Sequence, residues 1–140
     1  MRVVRISEIP EERVDRATPV PGWTGGPLTR SRQEILPAGS SKFFNCGVRS
    51  FGRGATTGFH THSSDQILVI TAGVGMVATE HEEHQVTVGD IIFTPAGQPH
   101  CHGATKSSYM SHISITSFVL SCVRPAGFQN IASELSTAAT

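Results

Sequence analysis

The sequence carries no excess charge of either sign: Lys plus Arg and Asp plus Glu are eleven each in 140 residues. It has no basic stripe interleaved with aromatics and only one tryptophan, which excludes the usual footprint of a nucleic-acid binder. No run approaches the roughly 18 apolar residues that a membrane helix needs. The longest uncharged apolar stretch, Ile67 to Ala78, is interrupted by Gly73 and Gly75. The opening Met-Arg-Val-Val-Arg-Ile-Ser-Glu lacks the apolar core of a signal peptide. Cysteine is scarce. Cys46, Cys101 and Cys122 are odd in number, widely spaced and form no Cys-x-x-Cys pair, so the expectation is reduced thiols in a cytoplasmic protein. Internal repeats and low-complexity segments are also missing. At this length a single domain is expected, burying about two-thirds of its unfolded surface.

What is present is a succession of short β patterns. Residues 1–30 form an arm rich in proline, glycine and charge, in which Val3 to Ile6 reads as a short strand and Pro19 to Pro27 as extended loop. From Arg32 the pattern turns to strand after strand. Candidates are Arg32–Leu36, Lys42–Phe51, Gln66–Thr71, Met76–Thr79, Gln85–Val88, Ile91–Thr94, His100–Gly103 and Tyr109–Val123. Ala72-Gly73-Val74-Gly75 reads as a turn between two of them, and Glu80 to His84 as a polar hairpin tip whose histidines are solvated. Short strands at a spacing of roughly 8 to 12 residues predict an all-β barrel or sandwich over residues 31–123. Residues 124–140 read as a tail with a short helix around Ile131 to Leu135.

Histidine is where the chemistry concentrates. His60 and His62 are two apart, which in an extended segment puts both imidazoles on one face. Gln66 follows after a Ser-Ser-Asp turn, and Gly89 to His100 delivers a third imidazole. Three neutral imidazoles and one oxygen donor suit a single divalent transition metal. Gln66 has an alternative use, hydrogen bonding across a strand. His102 shares the strand face of His100, whereas Cys101 lies on the other face and reads as a buried structural thiol. His112 shares a face with Ser114 and Thr116. Inside a barrel it would stay neutral and suit a general base; pointing outward, it would leave the core to Ile113 and Ile115. Arg49, Arg53 and Lys106 read as surface charges.

These residues carry a resemblance. Gly54, His60, His62, Gln66 and Gly73 resemble the first cupin motif, and Gly89, Pro95, Gly97 and His100 the second. Gln66 stands where most cupins have glutamate, and Ala104 where the motif usually ends in asparagine. The resemblance implies a single-domain, small jelly-roll barrel. It also implies an N-terminal arm that either adds to a partner subunit's sheet, in a homodimer or higher homo-oligomer, or covers its own barrel.

A narrower likeness runs from Thr57 to Thr116. His60-Thr61-His62, Gln66 to Gly73, His100-Cys101-His102-Gly103 and Met110 to Ile115 are similar to the small bacterial cupins that act as manganese-dependent hydroxynitrile lyases. That likeness implies metal on His60, His62, Gln66 and His100, His112 as the base, and His102 and Thr57 lining the pocket. Thr116 stands where those lyases carry a glutamine, and Phe59 and Cys101 where they carry tryptophans, so a differently shaped pocket is expected. Manganese is the implied metal, with iron, nickel and zinc as alternatives. The implied partner is a small molecule, anionic or bearing a hydroxyl or carbonyl, with no nucleic acid and no membrane. Exchange of glutamate for Gln66 leaves a divalent ion with its full charge, which favours Lewis-acid over redox chemistry. A cupin dioxygenase and a cupin that only binds its ligand are the alternatives.

Overall fold

The chain is described here from a computed structural model covering residues 1–14 and 30–117. The order is a 3-10 turn Ile6–Glu8, then strands β1 (Glu12–Arg13), β2 (Arg30–Leu36), β3 (Phe44–Phe51), β4 (Gln66–Ala78), β5 (Glu83–Thr87), β6 (Ile91–Thr94), β7 (Cys101–Ala104) and β8 (Met110–Ser117). Every pairing is antiparallel, in the path β1-β2-β3-β8-β4-β5, with β6 and β7 also on β4.

β4 joins the two layers of the barrel. Its first half lies between β8 and β6, with Gln66 opposite both Thr116 and Thr94. Its second half lies between β5 and β7, with Met76 opposite Gln85 and Gly103. The turn expected at Ala72 to Gly75 is not there. The strand runs through, and its register on β8 shifts between Ile70 and Ala72. Gly73 makes this possible. Its φ is +71°, and a Cβ there would fall 1.9 Å from the Tyr109 carbonyl oxygen. A glycine inside a strand pattern here marks a bend and a close backbone approach rather than a reversal.

The alternation predicted for Gln66, Leu68 and Ile70 holds, and all three are buried. Of the three, Ile70 packs in an interior cluster with Phe51, Val86, Ala104 and Met110. A smaller cluster of Phe59, Ala78 and Cys101 packs with Met76. Gly103 lets β7 press onto the segment after β3, since a Cβ there would sit 2.3 Å from the Ala55 carbonyl oxygen.

Other boundaries differ from the sequence reading. Val3 to Ile6 is not a strand, because no strand among the described residues pairs with it. Instead the Gln33 side-chain amide donates to the Ile6 and Ile9 carbonyls and holds the 3-10 turn against β2. β3 begins at Phe44 rather than Lys42, because the Ser41 hydroxyl accepts from the Phe43 and Phe44 N–H groups and closes a turn. Within the arm, β1 pairs with β2 of its own chain, and the Arg32 guanidinium bonds both oxygens of Glu12 at 2.9 and 3.1 Å. Pro19 to Pro27, the end of the expected last strand, and the expected helix at Ile131 to Leu135 lie outside the described residues. Among the described residues no helix is long and apolar enough to cross a membrane.

Candidate metal centre

Two loop segments bring the histidines together. The run from Thr56 to His62 is not a regular strand. It touches β7 and the residue before it through two bridges, Thr56 with Gly103 and His60 with His100. The His60–His100 bridge is reciprocal, with N–H to carbonyl distances of 2.9 and 3.0 Å in the two directions. His62 is fixed by the Gly97 N–H, which donates to its carbonyl at 2.8 Å. Asp65 receives the Ala96 N–H at 2.9 Å, so the two histidine-bearing loops are tied at both ends.

One ring nitrogen from each of His60, His62 and His100 lies within 4.8 Å of the other two. The His60 and His100 rings are oriented by backbone carbonyls. His60 Nδ1 is 3.0 Å from the Gly58 oxygen and His100 Nδ1 is 2.9 Å from the Gln98 oxygen. A carbonyl can only accept, so each Nδ1 carries the proton and each Nε2 keeps its lone pair. This outer support is the arrangement that metal-ligating histidines require. Gln66 enters from β4. Its amide nitrogen donates to Ser114 Oγ at 3.2 Å and to His62 Nε2 at 3.1 Å. Its Oε1 is 3.0 Å from His100 Nε2. That last contact puts the side-chain oxygen beside a ligating nitrogen, within reach of an ion shared with the three histidines. The donor set therefore fits a divalent ion on His60, His62, His100 and Gln66 Oε1.

Burial keeps these imidazoles neutral, the form in which they can ligate. It lowers His60 to about 3, with His100 adding to the effect and the Gly58 carbonyl opposing it. His62, at the more open edge, is lowered to about 4 by burial and by His100. Burial also lowers His100, against the pull of the Gln98 carbonyl.

His102 and His112 stand behind this set. His112 is fully buried on β8, opposite Ile70 on one side and Arg49 on the other, so it faces the interior. Its ring is 5.0 Å from that of His102 and stacks on Phe51 at 5.7 Å. The His102 ring in turn is 5.3 Å from His60. Among the described residues, neither nitrogen of His112, nor Nδ1 of His102, has a hydrogen-bond partner in bonding geometry. Burial lowers His112 to about 3, with the Arg49 guanidinium contributing, and holds His102 well below the ordinary histidine range, with His112 contributing.

The pocket residues are placed less uniformly. The Thr57 hydroxyl is used within the wall, donating to the Gly58 carbonyl at 2.9 Å and accepting from the His102 N–H at 3.2 Å. Phe59 packs behind the site with Ala78 and Cys101. Thr116 lies half-buried opposite Gln66 on the neighbouring strand. Cys101 is buried, and its thiol is pushed up to about 12 by burial, with Glu83 adding to the shift. A cleft of about 150 Å³ reaches His100 and His102 between Leu68, Val77 and Ile92.

Two features escaped the sequence reading. Arg49 is not a free surface charge. Its guanidinium pairs with Glu34 at 3.1 Å and lies in the space that a side chain at Gly47 would fill. Strand parity was the available signal, since Arg49 alternates in step with Phe51. Glu82 and His84 are solvated, as the hairpin-tip reading had them, but both also stand at the edge of the cleft, which that reading did not foresee.

A family profile described as "Cupin domain" matches residues 47–116. The chain is 33% identical over 90 residues to a protein named (R)-mandelonitrile lyase from Granulicella tundricola, a match covering 64% of this chain and 63% of that relative's length, which is under two-thirds of it. Among solved structures, the fold is shared with the polyketide cyclase RemF from Streptomyces resistomycificus at 15% identity, with a TM-score of 0.73 over 97% of this chain and 92% of that one. It is shared too with a predicted oxalate decarboxylase from Thermotoga maritima at 24% identity, with a TM-score of 0.68 over 83% and 98%. The profile spans half of the sequence and includes every strand from the middle of β3 to the end of the histidine set on β8, and the chain belongs to the cupin family.

Proposed function

We propose that the protein is a metal-dependent lyase that cleaves small cyanohydrins. The observation that carries this reading is the pair of neutral, enclosed imidazoles, His102 and His112, in ring contact with each other directly behind His60. The relative named (R)-mandelonitrile lyase supports it. A divalent ion held by His60, His62, His100 and Gln66, manganese in this proposal, supplies Lewis acidity toward a bound hydroxyl oxygen. Because Gln66 is neutral, no ligand in this set subtracts from the ion's charge.

The remaining chemistry belongs to the chain. His112 takes the hydroxyl proton on a ring nitrogen that no described residue engages in bonding geometry. The oxygen electron pair becomes the carbonyl bond, the C–C bond breaks, and its pair leaves with cyanide. The proton then passes from the imidazole to cyanide, giving hydrogen cyanide and an aldehyde or ketone. Because cyanide takes up the proton that His112 removed, the site is restored without an external acid. His102, between His112 and His60, keeps this path free of fixed charge. Leu68, Val77 and Ile92 give the cleft an apolar wall that keeps water from the separating pair.

The test is cyanohydrin cleavage by metal-stripped protein with manganese, iron, nickel or zinc added back. Activity restored by manganese or by redox-inert zinc without oxygen is the expected result. Activity that needs oxygen and a redox metal, on another substrate, would replace this reading with a dioxygenase. Ligand binding without turnover under any metal would make the protein a binding cupin.

A further inference from the structure

The cleft that reaches His100 and His102 has a polar mouth. Its middle is apolar, walled by Leu68, Val77 and Ile92, and a cavity of about 150 Å³ accepts a benzene-sized ring. At the rim stand Glu82, just before β5, and His84, near its start. His84 Nε2 donates to Glu82 Oε2 at 3.0 Å. That bond leaves Glu82 Oε1 as an acceptor, with no other side-chain hydrogen bond to the Glu82 carboxylate among the described residues. The turn is braced from behind, since the Thr79 N–H donates to the Glu82 carbonyl at 2.8 Å and β5 is laddered to β4, with Val77 opposite His84. The acceptor is therefore carried on a framework shared with the cleft wall.

We propose that Glu82 and His84 are specificity-determining residues that select substrates with a neutral hydrogen-bond donor at the end remote from the reacting carbon. The substrate class is a cyanohydrin with a ring-sized apolar body and a distal hydroxyl. The assignment follows from chemistry in sequence along the cleft. The reacting carbon lies at the inner end by His100 and His102, the apolar body lies against Leu68, Val77 and Ile92, and the far end meets the Glu82 carboxylate that His84 orients. A carboxylate at the rim repels an anionic tail, and an apolar tail lacks the hydrogen bond that a distal hydroxyl donates to Glu82. This inference rests on the lyase reading for the identity of the reacting group, but not for the recognition of the distal end.

The experiment uses two neutral aldehydes of matched size as product-side probes, 4-(hydroxymethyl)benzaldehyde and 4-ethylbenzaldehyde. Their dissociation constants are measured by calorimetry on the full-length, metal-loaded protein, and kcat and KM are measured for the two corresponding cyanohydrins. The wild type is expected to bind the hydroxymethyl compound about fivefold more tightly, the yield of one partly exposed hydrogen bond. Glu82→Ala with His84→Ala should bring the ratio to about one, acting through KM with kcat kept. Both side chains are well exposed, so the double variant is expected to fold. Equal binding of the two aldehydes by the wild type, or a preference that survives the double substitution, overturns the inference. Aldehyde discrimination without cyanohydrin turnover would leave the recognition in place and remove the lyase reading instead.

Discussion

Gln66→Glu separates a metal-ligating glutamine from one that only ties two strands. The substitution keeps the size of the side chain and replaces the amide nitrogen, 3.1 Å from His62 Nε2 and 3.2 Å from Ser114 Oγ, with an oxygen. It also places a negative charge where Oε1 now lies 3.0 Å from His100 Nε2. An opposite charge this close raises an imidazole by roughly 1–3 units. In the metal-free protein, His62 should then move upward from about 4 toward the ordinary histidine range. In the metal-loaded protein the same charge sits beside the ion. The ion should be held more tightly, its pull on a bound hydroxyl should weaken, and cyanohydrin turnover should fall by roughly tenfold or more, about 1.4 kcal/mol in the barrier. Azide affinity should fall with it. The assay is histidine NMR titration of the metal-free variant, together with azide affinity and turnover at equal metal loading. Unchanged azide affinity and an unmoved His62 would refute the reasoning, since a glutamate turned away from the ion produces neither effect.

Three further outcomes follow from the same structure. His112→Asn should retain full metal content and lose roughly 10²- to 10⁴-fold in kcat; normal turnover would remove His112 as the base. Acid should destabilise the metal-free protein, because His60 and His112 at about 3 and His62 at about 4 bind fewer protons folded than unfolded. Their contribution is complete above the unfolded value near ~6.5 and is lost as pH falls from there toward about 3 to 4, at up to about 1.4 kcal/mol per pH unit for each group. A melting temperature that stays flat from neutrality to about pH 4 would contradict the buried, neutral assignment. Gly73→Ala should cost about 3 kcal/mol or more, because the added Cβ meets the Tyr109 carbonyl and the backbone φ is +71°. Chemical denaturation measures it, and a loss under about 1 kcal/mol would show that β4 bends without needing glycine there.

Much of this arrangement was legible in the spacing of a few residues. His60, His62, Gln66 and His100 converge because glycines and prolines punctuate two loops at fixed offsets, and offsets survive in a bare sequence. The facing of Gln66, Leu68 and Ile70 was legible from period-two alternation. The course of β4 was not, because Gly73 and Gly75 give the same local signal for a turn as for a strand crossing between layers; only Tyr109, far along the chain, distinguishes them. Arg49 was misread for a related reason. A charged residue on a strand suggests solvent, yet Glu34 and the missing side chain of Gly47 give it a place beside His112's strand. The direction of His112 was open in the sequence because Ile113 and Ile115 offered an equally apolar alternative face. In the fold those isoleucines lie opposite Val48 and Cys46 on the other face of the same sheet.

The central claim is that one transition-metal ion is held by His60, His62, His100 and Gln66. Elemental analysis of the purified protein beside a His60→Ala, His100→Ala variant tests it most directly. About one ion per chain in the wild type and none in the variant is the predicted result. Full metal retention by the variant, or a wild type that takes up no transition metal from a saturating supply, would contradict it.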